Sequence, residues 1–181
     1  DGTGASAAAA LGRQLGAPSR GAAAPASGTS ARSAEALVRI RLLEELRPSD
    51  VSVSNAGGAP VRIRRPGSDS GWLGPGASLR VDPGLRVGPA LLRLVVGPYG
   101  LVRFVEGTLE ASGRPGELRL VLSATVRSWV EGILLGELRD GSPELREELA
   151  AAAVRFLRSG PHHGRVDFCD STHCAFFAGR G

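Results

Sequence analysis

The sequence predicts an α+β fold: a strand-rich N-terminal domain followed by a helical hairpin and an irregular segment. Three observations carry this. Apolar residues alternate with period two from Leu37 to Ala124, the period changes to 3.6 after Ala124, and the last twenty residues hold all the His and Cys. The bulk composition permits such a fold. With 181 residues, 42% hydrophobic and 22% charged, the chain is long enough to bury a core and is not composed like a wholly disordered one. Its 26 Gly and 12 Pro exceed ordinary usage, so turns and loops are frequent.

Residues 1–34 are Ala, Gly, Ser and Pro with scattered Arg. Such a stretch cannot offset its ordering entropy by burial, and it is expected to be a disordered tail or linker, with a short Ala-rich helix near Ala7–Leu15 as the alternative. The strand-rich domain is expected over 35–124. Val38, Ile40 and Leu42 alternate with Arg39 and Arg41, and Pro48-Ser49-Asp50 closes that run. Val51 and Val53 lead into Asn55-Ala56-Gly57-Gly58, a strong turn signal, and Val61 and Ile63 follow. Leu79/Val81, Leu85/Val87, Leu91–Val96, Leu101–Val105 and Leu118/Leu120/Leu122 continue the series. Short strands at this spacing predict a small sandwich or barrel-like arrangement.

From 125 onward, Val126, Trp129, Val130, Ile133 and Leu134 fall at i, i+3, i+4, i+7 and i+8, one apolar stripe on a helix ended by Asp140-Gly141. Ser142-Pro143-Glu144 opens a second helix, with Ser as N-cap, Pro at the first helical position and an acid in the first turn. Leu145, Leu149, Ala152, Ala153 and Phe156 are its expected apolar side, and Gly160-Pro161 stops it.

Charge excludes more than it assigns. All 22 basic side chains are Arg, and the net charge is only +4. The arginines alternate with Val, Ile and Leu, as in Val61-Arg62-Ile63-Arg64-Arg65, which reads as the solvated face of half-buried strands. With eight aromatics in the chain, a stacking groove for nucleic acid is not expected. No apolar run reaches the roughly 18 residues of a transmembrane helix. The chain has no Met and no readable signal peptide, so it is expected to start inside a longer protein or after processing.

Two features can carry chemistry. Glu137 lies four residues past Ile133 and three past Leu134, so it extends the apolar stripe. A carboxyl held against apolar side chains has its charged form disfavoured, as a general acid requires; the alternative is a Glu that emerges where the helix frays. The second feature is His163, Cys169, His173 and Cys174 within twelve residues. Thiolate and imidazole suit tetrahedral zinc, but a Cys169–Cys174 disulfide, or two free Cys with loop His, fits the same residues.

Together these features resemble the stage II sporulation protein D / amidase-enhancer family of bacterial peptidoglycan proteins. That family has a Gly, four further residues and its catalytic Glu, matched by Gly132-Ile133-Leu134-Leu135-Gly136-Glu137. It then has a Pro opening an Ala-rich helix with an Arg near its end, like Pro143, Ala150–Ala153 and Arg155. Its Cys-Asp-x-Thr-His-Cys signature is met at every fixed position by Cys169-Asp170-Ser171-Thr172-His173-Cys174, and His163 stands six residues before the first Cys. About fifty residues are covered well, and the strand-rich part resembles the family's N-terminal part more weakly.

The resemblance implies a lytic transglycosylase that cleaves peptidoglycan glycan strands, with Glu137 as acid and then base and 1,6-anhydro-muramic ends as product. It implies a structural zinc held by His163, Cys169, His173 and Cys174, since four protein ligands leave no open position. It also implies an extracytoplasmic, cell-envelope location, and that 125–181 is the start of a catalytic domain whose remainder is missing. Several positions depart from the family pattern. Gly136, Leu138 and Arg139 replace its Ser, Met and Pro around the Glu, and Ala150 and Leu157 replace its Gln and Tyr. The chain also stops seven residues after Cys174. These departures count against activity, and whether the chain is an enzyme stays open. The alternatives are a non-catalytic envelope protein that binds glycan and stimulates a partner amidase, and a zinc-stabilised interaction module with no glycan role.

Overall fold

The computed structural model describes residues 36–160, 164, 166–171 and 174–180; the tail expected over 1–34 lies outside them. Among the described residues the elements run β1 (Leu37–Leu42), β2 (Val51–Asn55), β3 (Val61–Arg64), β4 (Gly71–Leu73), β5 (Ser78–Arg80), β6 (Arg86–Val96), β7 (Leu101–Arg114), β8 (Glu117–Thr125), α1 (Val126–Glu137), α2 (Pro143–Arg158) and β9 (Phe168–Cys169). The fold is mixed α/β, a strand-rich sheet with two helices.

The strands form one sheet in the order β4-β3-β6-β7-β8-β1-β9, with β2 pairing β5 and β6 beside that path. The long β6 joins the two groups of strands: one of its edges pairs with β7, while its other edge pairs β3 at one end and β2 at the other. A bulge between Val87 and Ala90 separates the half of β6 that pairs β3 from the half that pairs β2. Strand β4, unmarked in the apolar pattern, pairs Trp72 with Arg62 on the exposed side. Asn55 earns its place in the turn signal by its side chain. Its amide donates to the carbonyls of Ala59 (2.8 Å) and Leu73 (3.0 Å) and accepts from the Gly57 N–H (2.9 Å).

Alternation in β1 and β8 behaves as the sequence requires. Val38, Ile40 and Leu42 are buried opposite Ala124, Leu122 and Leu120, in an antiparallel register from Leu37↔Thr125 to Leu42↔Leu120. The five stripe residues of α1 are all buried in the same core. Thr125 caps that helix by accepting from the Ser128 N–H at 3.1 Å, and Ser142 caps α2 by accepting from the Leu145 N–H at 3.3 Å. The Ser142 hydroxyl and a backbone N–H hydrogen bond, the latter the larger effect, hold the Glu144 carboxyl below its ordinary range.

The face of α2 differs in part from expectation. Ala150, Ala153 and Val154 are its buried residues, while Leu145 is 47% exposed and Leu149, Ala152 and Phe156 are only partly covered. Leu149, Phe156 and Leu157 still pack against the core, with part of their surface left exposed.

Strand β9 joins the first strand to the last part of the chain. It pairs parallel to β1 through Ile40↔Phe168 and Arg41↔Cys169. The Phe168 ring stacks on Trp129 (4.6 Å between centroids, 19° between planes) and meets Phe156 at 5.2 Å. It therefore ties α1, α2 and the sheet into one continuous core, which spans both sides of the 124/125 boundary. Phe168→Ala should cost about 3–5 kcal/mol, the range for removing a fully buried aromatic, read as a lower urea midpoint with unchanged slope.

Candidate functional site

Glu137 is the last residue of α1 and is exposed. The stripe that predicted an apolar setting ends with Leu134, because the helix ends before the next turn can cover the carboxyl. The carboxylate is nonetheless fixed: its Oε1 accepts from the Phe176 backbone N–H at 2.7 Å. Arg139 is exposed and makes no ion pair with it, and Arg155 is exposed on α2 with no ion pair among the described residues.

The contact with Phe176 depends on two glycines. Gly132 and Gly136 are four residues apart and so share one face of α1. The segment 175–180 runs along that face. The Ala178 N–H donates to the Gly132 carbonyl at 3.1 Å, and the Phe177 ring, 2% exposed, occupies the notch over Gly132. A Cβ on Gly132 would overlap the Phe177 ring, and one on Gly136 would overlap the Phe176 carbonyl oxygen. The notch is thus what allows backbone to approach closely enough for the Phe176 N–H to reach Glu137. The Phe176 ring itself is 37% exposed, with the Arg103 guanidinium 5.8 Å from its centroid.

The Cys-containing segment is placed by Asp170. Its carboxylate is buried and accepts from the Arg103 guanidinium and from the Leu43 N–H (2.9 Å), and its own N–H donates to the Arg41 carbonyl at 3.0 Å. Asp167 adds a reciprocal pair with Arg39: its carboxylate accepts from the Arg39 N–H (2.7 Å) and its N–H donates to the Arg39 carbonyl (2.8 Å). Between these anchors Cys169 is buried, with its Sγ 3.2 Å from the Ser171 Oγ and 3.4 Å from the Cys174 Sγ. The two cysteines are not joined by a disulfide. Burial, the largest influence, pushes the Cys174 thiol above its ordinary range; a backbone hydrogen bond at Cys169 opposes this, and the Cys169 side chain and Glu44 add to the rise.

Of the residues expected to bind metal, the structure brings Cys169 and Cys174 together; His163 and His173 lie outside the described residues. Among the described residues no three His, Cys, Asp or Glu side chains group as a metal site. Phe176 and Arg103 were not expected at the site. The GxxxG spacing of Gly132 and Gly136 was visible, but nothing in the local sequence identifies the segment that fills it.

Gly136→Ala separates these effects. Alanine favours an isolated helix by about 1 kcal/mol, yet the added carbon meets backbone, so a net loss of about 1–2 kcal/mol is expected, with faster amide hydrogen exchange at Phe176. A stabilised variant with unchanged exchange would contradict the notch.

Comparison of the chain with known protein families, curated proteins and solved structures found no match to any of the three.

Proposed function

We propose that the chain is a glycan-cleaving protein of the stage II sporulation protein D / amidase-enhancer type, acting on peptidoglycan strands in the cell envelope. One observation supports this above the others. Glu137 and the Cys-Asp-Ser-Thr-His-Cys segment are remote in sequence, yet Phe176, two residues past that segment, donates its N–H to the Glu137 carboxylate. The acid is therefore held by backbone just past the signature, and the exposed Phe176 ring is suited to the C–H face of a sugar.

In the proposed reaction protonated Glu137 gives its proton to the glycosidic oxygen as the bond from that oxygen to the anomeric carbon breaks. The muramic 6-hydroxyl oxygen bonds to the anomeric carbon, and its proton passes to the Glu137 carboxylate, which restores the acid. The sugar supplies its own nucleophile, so no second carboxylate is needed, unlike in hydrolytic glycosidases. Oε1 is engaged by Phe176, which leaves Oε2 to exchange the proton.

Cys169 and Cys174, with His163 and His173, are the proposed holders of a structural zinc, which would clamp the segment carrying Phe176. The donor chemistry fits: two thiolates on tetrahedral zinc with Zn–S of ~2.3 Å stand about 3.8 Å apart, and these sulfurs are 3.4 Å apart. This segment follows α2 directly, so helices and zinc segment would form a hairpin-and-clamp unit against the sheet.

A second reading is favoured by the exposure of Glu137, since a solvated carboxylate lacks the desolvation that readies a general acid. In it the protein binds glycan without cutting and stimulates a partner amidase.

Incubation with peptide-stripped glycan strands should yield 1,6-anhydro-muramic ends detectable by mass spectrometry, and Glu137→Gln should lower the rate by about 10²–10⁴-fold. Equal product from the variant would refute the assignment. Elemental analysis should find about one zinc per chain, bound with release of protons at neutral pH and lost in Cys169→Ser.

A further inference from the structure

We propose that a second site, away from Glu137, binds a neutral, hydroxyl-rich saccharide unit. A cavity of about 670 Å³ opens on the outer side of the sheet beside the first half of α1, within the volume range of small-molecule sites. Glu131 is the α1 residue nearest to Glu137 that lines it, and six further residues of helix place Glu137 about 9 Å along the axis.

Small residues from three adjacent strands line the cavity: Ala90, Gly107, Thr108 and Ser123. Gly107 cannot be replaced freely, since its φ is +146° and a Cβ would overlap the Ser123 carbonyl oxygen. The walls carry two acids and two bases that neutralise one another. Arg180 pairs with both Glu106 and Glu131 (3.4 Å to the latter), and Arg127 pairs with Glu131 at 2.9 Å. The Ser128 hydroxyl donates to Glu106 Oε2 at 3.1 Å and fixes that carboxylate.

This chemistry selects the ligand. A charged ligand finds no uncompensated counter-charge, whereas a hydroxyl both donates and accepts and so matches carboxylate and guanidinium alike. Acceptors and donors are free to meet it: Glu106 Oε1 and the hydroxyls of Thr108 and Ser123 have no hydrogen-bond partner among the described residues. Leu37, 64% exposed, and Pro89 supply an apolar rim for the C–H face of a sugar ring.

The proposal rests on the glycan reading only for the choice of probe. Titration of tri-N-acetylchitotriose into the chain, followed by calorimetry, should show saturable binding with Kd on the order of 0.1–1 mM. Thr108→Trp, which adds bulk to the lining, should weaken it at least about tenfold, while Trp72→Ala, at an exposed β4 position outside the cavity lining, should leave it unchanged. If Thr108→Trp loses the wild-type circular dichroism, Glu131→Gln takes its place with the same expectation. Absence of saturable binding, unchanged affinity in the folded cavity variant, or an equal loss of binding in Trp72→Ala would each overturn the site. The two readings fail separately. Cavity-dependent binding without anhydro product leaves this site standing, and anhydro product without cavity-dependent binding leaves the cleavage standing.

Discussion

The burial of the Asp170 carboxylate is the constraint on which the arrangement depends. Its side chain is 4% exposed and that of Arg103 is 13% exposed, so neither charge has water to fall back on. A buried ion is tolerable only when its partners are all present and aligned. Here they come from two separate stretches: Arg103 from β7, and the end of β1, where the Leu43 N–H meets the carboxylate and the Arg41 carbonyl receives the Asp170 N–H. A shift by one residue would strand the carboxylate. The pair thereby fixes register more than it adds stability, and Cys169 and the segment leading to Phe176 inherit their positions from it. Leu43, held in the left-handed region at φ +57°, is part of the same bargain: an unfavourable backbone conformation, costing about 1–3 kcal/mol, is maintained by the bond to Asp170 and by burial of the side chain.

Sequence periodicity was most informative where large apolar side chains repeat at helical spacing. The α1 stripe reads correctly at all five positions because each of those large side chains is drawn into the core, even though the helix packs on α2, the sheet and Phe177 alike. The Ser142-Pro143-Glu144 start of α2 reads correctly because capping is local chemistry. The face of α2 was legible in part. Ala153 is buried and Leu149 and Phe156 pack on the core as the spacing suggests, but four consecutive alanines offer a small apolar surface in every direction, so Ala150 and Val154 could not be told from their neighbours. The same limit applies to the sheet: alternation identifies strands such as β1 and β8, but not that β6 would serve two partners along one edge.

At the site, residue identity was legible and environment was not. Glu137 was singled out by its spacing from Ile133 and Leu134, yet that spacing predicts cover only while the helix continues. Its actual neighbour, Phe176, is 39 residues away, and no local pattern relates the two. The cavity beside α1 was equally silent, since Ala90, Gly107, Thr108 and Ser123 come from three strands and meet only through cross-strand register. Such sites arise from what neighbouring strands leave out, and omission has no period.

The position of β1 between β8 and β9 bears on the order in which the molecule assembles. Hydrogen bonds from Arg39 and Leu43 to Asp167 and Asp170 close loops of 128 and 127 residues. Closure over that distance is entropically costly until the intervening strands have shortened the path. The antiparallel neighbours β6, β7 and β8 can pair first through short connections, giving β1 a template. The parallel β9, only two residues long, then docks onto the far edge of β1. By the same logic it is the first part to let go. A brief opening of this last-formed edge would release Phe168 from Trp129 and bring Cys169 into solvent while most of the sheet stayed intact, so the thiols report on a local equilibrium and not on global unfolding.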